Sequence, residues 1–166
     1  MAKAKEDIGT ETEEKVMGIL FNEPSDPVKL NDYDVYVVLK RPSFKDKYKG
    51  RAWGSKKLRE FGYGDASEED PELAYFFRMW GAVNASVQKV LIPDEKGKVS
   101  IEGKPYAEYS YDPSKDVDYS GPFEKYAIEE VFNKGGQEDM FVASGIIAYT
   151  RWTDYFSVDG DDIKNS

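Results

Sequence analysis

No cysteine and no histidine occur among the 166 residues of this chain. Without cysteine there are no disulfides, no thiolate metal sites and no thiol nucleophile. Without histidine the commonest general base and imidazole ligand are gone, and Ser-His-Asp and Cys-His mechanisms are excluded. Any catalysis would have to rest on carboxylates, Lys, Arg or Tyr. Apolar runs are short, and none approaches the roughly 18 residues that a membrane-spanning helix needs. The opening MAKAKEDIGTETEEK lacks the apolar core of a signal peptide, so the expected location is the cytoplasm. Glycine-rich phosphate loops are also missing. GYGDAS (Gly62 to Ser67) has neither the Lys-Ser/Thr of a Walker motif nor G-x-G-x-x-G spacing, and reads as an interhelical turn.

What is present is enough for a core. The chain is 40% hydrophobic and 14% aromatic, in the range of a folded globular protein and above that of a disordered one. The length suits one domain. Residues 1–14 are polar and without periodicity and read as a flexible arm, 15–156 as a single globular domain, and 157–166 as an acidic flexible tail. The expected class is α+β: mostly helical, about four helices, with a small antiparallel sheet or hairpin.

The element reading follows from periodicity and punctuation. Val16 to Phe21 is a short apolar run of strand length. Lys29 to Leu39 reads as a strand, with Tyr33, Val35, Val37 and Leu39 on one face. Pro42 ends it, and Ser43 serves as the N-cap of a helix from Phe44 to Phe61. Phe44, Tyr48, Trp53, Leu58 and Phe61 are expected to anchor that helix, Gly50 and Gly54 to weaken it, and Gly62 and Gly64 to stop it. Ser67 caps a second helix, with Glu68, Glu69 and Asp70 at its positive end and Pro71 in its first turn. Leu73, Phe76, Phe77, Trp80, Val83, Val87 and Val90 follow at steps of three and four; the helix ends near Val90 or turns to strand earlier. PDEKG (Pro93 to Gly97) is a turn, the segment after it the return strand of a hairpin, and Tyr106 to Tyr111 an edge strand. Gly121-Pro122 opens a third helix with Phe123, Ala127, Ile128, Val131 and Phe132 inward, closed by Gly135-Gly136. Glu138 to Phe156 makes a fourth, with Phe141, Ile146, Ile147, Tyr149, Trp152 and Phe156 inward.

Charge is unevenly distributed. The formal net charge is −9, yet Lys40, Arg41, Lys45, Lys47, Lys49, Arg51, Lys56, Lys57 and Arg59 crowd into 20 residues with Asp46 as the only acid. That segment is +8 and the remainder −17. Such asymmetry points to a partner surface, to self-association of basic against acidic face, or to a solvated helix face. These nine cations, with Trp53 from the same segment and Tyr75 and Trp80 from the next helix, are the candidate partner-binding residues. Basic residues interleaved with aromatics also suit nucleic-acid phosphates and bases, although the overall acidity argues against it. Paired carboxylates are explained without catalysis: Glu68 to Asp70 by capping and Glu129-Glu130 by an exposed helix face. Asp159 to Asp162 lacks the twelve-residue register of a calcium loop. No cofactor, no metal and no enzymatic activity are expected.

Two stretches carry a resemblance: LKRPSFKDK (Leu39 to Lys47) and FFRMWGAVNASVQKVLIPDEKGK (Phe76 to Lys98). In pattern they resemble phage tail assembly chaperones. The resemblance implies a largely helical, often oligomeric, non-enzymatic protein of the host cytoplasm that holds the aggregation-prone tape-measure protein until tail-tube subunits assemble around it. It offers no catalytic residue to carry over. The strand and hairpin depart from that family and leave open a structural virion component, such as a tail or baseplate subunit. A nucleic-acid-binding regulator using residues 40–59 is the third reading.

Overall fold

The computed structural model describes residues 23–60 and 71–165, with side chains up to Thr153. The 1–14 arm, the Val16 to Phe21 run, Phe61, the Gly62 to Asp70 turn and cap, and the Phe156 side chain lie outside the described residues. Five strands and four α-helices follow in the order β1 (Val28–Lys29), β2 (Tyr36–Leu39), α1 (Phe44–Glu60), α2 (Pro71–Ser86), β3 (Val87–Pro93), β4 (Val99–Ile101), β5 (Lys104–Glu108), α3 (Pro122–Tyr126), a π-helical turn (Ala127–Phe132) and α4 (Glu138–Asn165). The α+β class holds. The backbone of 157–165, read from sequence as a tail, continues α4.

The sheet is wholly antiparallel in the order β1-β2-β3-β5-β4. Strand alternation gives it two apolar faces. Val35, Val37, Leu39, Val87 and Val90 face the helices and join the main core with Phe77, Trp80, Val83, Phe123, Phe141 and Val142. Tyr36, Val38, Leu91 and Tyr106 form a smaller cluster on the other face. There the Tyr106 hydroxyl donates to Asp34 Oδ1 at 2.6 Å, tying β5 to the loop before β2.

A bulge explains the ambiguous end of α2. Val38 pairs with Lys89 but Leu39 pairs with Val87, so Gln88 is skipped. That extra residue sends Val87 and Val90 to the same face although they are three apart. A helical step in the sequence is therefore produced by an irregular strand. The hairpin also differs from expectation. β4 pairs with β5 around Glu102-Gly103, both at positive φ (52° and 78°), as a two-residue hairpin of the I′ kind requires. β5 is inserted between β3 and β4, so it is an inner strand and the PDEKG turn joins two strands that do not pair.

Helix α1 begins as expected. The Asp46 N–H donates to Ser43 Oγ at 3.1 Å, and the Ser43 hydroxyl donates to Asp46 Oδ2 at 2.8 Å. Its packing reverses expectation. The buried residues of α1 are Gly50 and Gly54. A Cβ on Gly50 would lie 2.5 Å from the Gly81 carbonyl oxygen of α2, one on Gly54 would lie 2.6 Å from the Phe77 carbonyl oxygen, and one on Gly81 would fall on the Gly50 carbonyl. The two helices meet backbone to backbone, and only glycine fits. With 100° per residue, Phe44 and Tyr48 fall roughly 120° and 160° around the helix from Gly50. They are 76% and 54% exposed and anchor nothing. Trp53 and Leu58, nearer the seam, do pack on the core.

The C-terminal half shows two smaller corrections. In the π-helical turn each loop of backbone takes an extra residue, so Phe132 rotates off the face set by Phe123 and Ala127 and is exposed. In α4 the inward face is Phe141, Val142, Gly145 and Ala148, leaving Ile147 exposed. Glu129 and Glu130 are half-buried, not a solvated face. Tyr109 donates to Glu129 Oε2 at 3.0 Å and to Glu130 Oε1 at 3.3 Å, and Tyr119 donates to Glu129 Oε1 at 3.2 Å. These bonds strap the 109–121 loop to the π turn. Burial and the carboxylates hold the Tyr109 phenol well above its ordinary range, and Lys134 pulls Glu130 down.

Two outcomes follow from this packing. Gly→Ala normally helps a helix interior by about 0.5–1 kcal/mol; Gly81→Ala here lowers stability by about 1–3 kcal/mol because the new methyl forces the helices apart, as measured by urea unfolding. The second concerns Tyr106. Its hydrogen bond to Asp34 and its burial push the phenol up to about 12 from 10. The proton is held more tightly in the folded state, so this stabilisation is complete below pH 10 and is lost as pH rises through 12. Tyr106→Phe is therefore expected to flatten the decline in unfolding free energy between those pH values relative to the wild type.

Candidate binding cleft

The glycine seam decides where the charges of α1 go. Because Gly50 and Gly54 face α2, the neighbouring positions Phe44, Lys47 and Arg51 (spaced three and four apart) lie along one flank of the seam. Arg78, Met79, Ala82 and Ala85 present the matching flank of α2, and Tyr149, Trp152 and Thr153 of α4 close the third side. Arg41 and Pro42, on the link from β2 to α1, form one end. The result is a cleft of about 560 Å³ among three helices. Its floor is apolar and aromatic. Arg41, Lys47, Arg51 and Arg78 surround it, and no carboxylate lines it among the described residues. Burial raises the Tyr149 phenol, against a smaller opposing effect of Ser86 beside its hydroxyl.

The structure divides the candidate residues. Arg41, Lys47 and Arg51 line the cleft. Lys40 sits at the end of β2, its backbone N–H donating to the Ser86 carbonyl at 2.8 Å, and with Arg41 it borders a smaller adjoining groove. Lys45, Lys49, Lys56 and Arg59 are exposed along α1. Lys57 lies 5.8 Å over the Trp53 ring and 3.5 Å from Glu60. Trp53 is half-buried, edge-on to Trp80 at 5.0 Å. Trp80 is 6% exposed and stacks on Phe77, so it belongs to the core and not to a partner surface. Tyr75 is exposed, on the opposite side of its helix from the buried residues.

Arg78, Met79 and Ala82 carry no assignment from the sequence, and Tyr149 and Trp152 read there only as inward residues of α4, where they do pack against the core. The available signal was helical spacing: Arg78, Ala82 and Ala85 are four and three apart, on α2's flank beside Gly81. Phe44 and Tyr48, expected to anchor α1 in the core, instead pair edge-on at 4.6 Å, both exposed, with Phe44 lining the cleft. The pair is an exposed apolar patch among cations. Among the described residues, no group of three or more acidic, His or Cys side chains is arranged to hold a metal, and no helix is long and apolar enough to cross a membrane.

No protein-family model, curated protein or solved structure matches this chain. The cleft lies at the surface of the three helices, with the exposed Phe44 on its lining.

Its superficial position has a measurable consequence. Phe44→Ser and Tyr48→Ser are expected to leave unfolding free energy within about 0.5 kcal/mol of wild type. Trp53→Ala, which empties the contact with Trp80, costs about 2–3 kcal/mol. Urea titration of the three variants checks the contrast.

Proposed function

We propose that the protein is a non-enzymatic binding factor that seats an acidic, apolar-anchored segment of another protein against α1. The observation that carries this reading is the cleft itself: an apolar floor ringed by Arg41, Lys47, Arg51 and Arg78, with Phe44 and Tyr48 exposed at its rim. Arginines on an apolar surface suit carboxylates, which they bind in bidentate fashion, while the aromatics supply the buried area that gives affinity. The surrounding lysines Lys45 and Lys49 add attraction at longer range and speed encounter.

Joined to the resemblance carried by Leu39 to Lys47 and Phe76 to Lys98, this reading makes the partner the tape-measure protein and the chain a phage tail assembly chaperone. The cleft meets the needs of that role. A holding factor must cover exposed apolar side chains of a helix-rich client and release them later. A shallow groove with a charged rim does this with affinity tuned by ionic strength.

Co-expression with a tape-measure protein is the test. The wild-type chain should raise the soluble fraction of that partner, and no gain would sink the proposal. Lys45, Lys47 and Lys49 changed together to Glu should leave the fold intact by circular dichroism and abolish the gain. Titration with single- and double-stranded DNA at two salt concentrations separates the nucleic-acid reading: tight, salt-sensitive binding would favour it instead.

A further inference from the structure

We propose that free copies of this chain associate head to tail, the turn between the π-helical segment and α4 of one copy seated in the cleft of the next. The proposal rests on reading the cleft as a protein-binding site; it adds a second copy as occupant, with which any client must compete. Charge is the first observation. Segment 40–59 holds nine bases and one acid, while segment 108–140 holds nine acids and three bases. Both lie among the described residues. Two opposite fields on one chain draw the unlike faces of two copies together.

Shape is the second observation. Phe132 and Met140 stand on either side of a turn whose residues 133–137 are all exposed, and they are themselves 54% and 56% exposed. The π-helical turn swings Phe132 off the core face; such turns are rare and recur at functional sites. Asp139 is exposed beside Met140, Glu129 and Glu130 precede the turn, and Lys134 is its one cation. The hydrogen bonds from Tyr109 and Tyr119 to the two glutamates hold the segment in place, so little freedom is lost when it docks. The turn is a fixed knob of apolar side chains and carboxylates. The cleft is a concavity with an apolar floor and a ring of arginines and Lys47.

Placement is the third. At 100° and 1.5 Å per residue, Met140 falls roughly 180° around α4 from Tyr149 and about 18 Å along its axis from Trp152. Tyr149 and Trp152 line the cleft, so knob and cleft lie on opposite sides of α4. One helix holds the two apart, and no copy can fill its own cleft with this turn. A contact between two unlike surfaces is heterologous: each added copy leaves one knob and one cleft free, so association continues into chains or closes into a ring. A single small contact of this kind is weak and reversible, and a client with more contacts takes the cleft from it.

Sedimentation of the full-length chain at rising concentration is the test. The mean mass should rise with concentration and fall when salt is added. Phe132→Ser with Met140→Lys removes the knob, and Lys47→Glu with Arg51→Glu reverses the cleft. All four side chains are exposed, and circular dichroism checks that each variant folds. Each variant alone should associate at least about tenfold more weakly than the wild type. Mixed, the two should form a one-to-one dimer and nothing larger, because one intact knob meets one intact cleft. A wild type that stays monomeric, a knob variant that associates as the wild type does, or a mixture that stays monomeric would overturn the proposal. If the cleft variant fails to fold, Arg78→Glu on α2 replaces it. The knob variant keeps its cleft and should still raise the soluble fraction of the tape-measure protein, so self-association and the chaperone reading fail separately.

Discussion

Backbone contact between two helices organises this molecule. Where Gly50 and Gly54 meet Gly81 and the Phe77 carbonyl, α1 and α2 approach more closely than any side chain permits. The contact has two effects. It makes α1–α2 the most extensive packing between any two described elements. It also fixes the rotation of α1 about its own axis, because only one edge of the helix is smooth enough to enter. Once that edge is committed, Phe44, Lys47 and Arg51 must flank the seam, and Tyr48 must face away from α2. The composition of the cleft is a consequence of where three hydrogens stand in place of methyl groups.

The sheet serves the same end from the other side. β2 is buried on both faces, with the helices on one and the Tyr36, Val38, Leu91, Tyr106 cluster on the other. Packed on both faces, it delivers Lys40, Arg41 and Pro42 to a defined place. The Lys40 N–H bond to the Ser86 carbonyl continues the ladder to the end of α2. From there the reciprocal Ser43 and Asp46 cap starts α1 at once. A buried strand, the four-residue link from Lys40 to Ser43 and a capped helix make the cleft's end wall. Fixed cations lose less freedom on binding than cations on a loop.

Much of this architecture was legible in the sequence. The Ser43 cap, the second helix with Phe77, Trp80 and Val83 inward, and the opening of the third helix at Gly121-Pro122 all stand; of the strand read over Lys29 to Leu39 only 36–39 and its helix-facing side stand, because 31–34 turn the chain, with Asp32 at positive φ, and Lys29 belongs to β1, antiparallel to β2. What misled were signals with two physical meanings. Glycines in a helix read as weak points because propensity is a local quantity, while a close approach depends on what lies across the seam. Phe44 and Tyr48 read as anchors because aromatic residues usually bury, and nothing local says which edge of α1 is inward. Val87 and Val90 kept a helical step because a bulge reproduces it. Phe132 fell on an α-helical face that a π turn does not have. The basic half of the candidate site was visible as composition; Arg78 and Trp152 were not, since they join it only through the packing of α2 and α4.

The division of labour along α1 bears on why an acidic protein carries this block at all. The residues that hold the helix in place are Gly50, Gly54, Trp53 and Leu58, none of them charged. Of the cations, Lys57 has local work, covering Trp53 and pairing with Glu60, and Arg41 has contacts of its own. Among the described residues the side chains of Lys45, Lys47, Lys49, Arg51, Lys56 and Arg59 form no ion pair, and Lys45 with Lys49 and Lys47 with Arg51 gather like charges at i, i+4, which is mildly destabilising. On the proposed reading that cost is set against what the surface touches. With the cations lining a cleft whose floor is apolar, the matching surface is one that brings carboxylates and apolar side chains together.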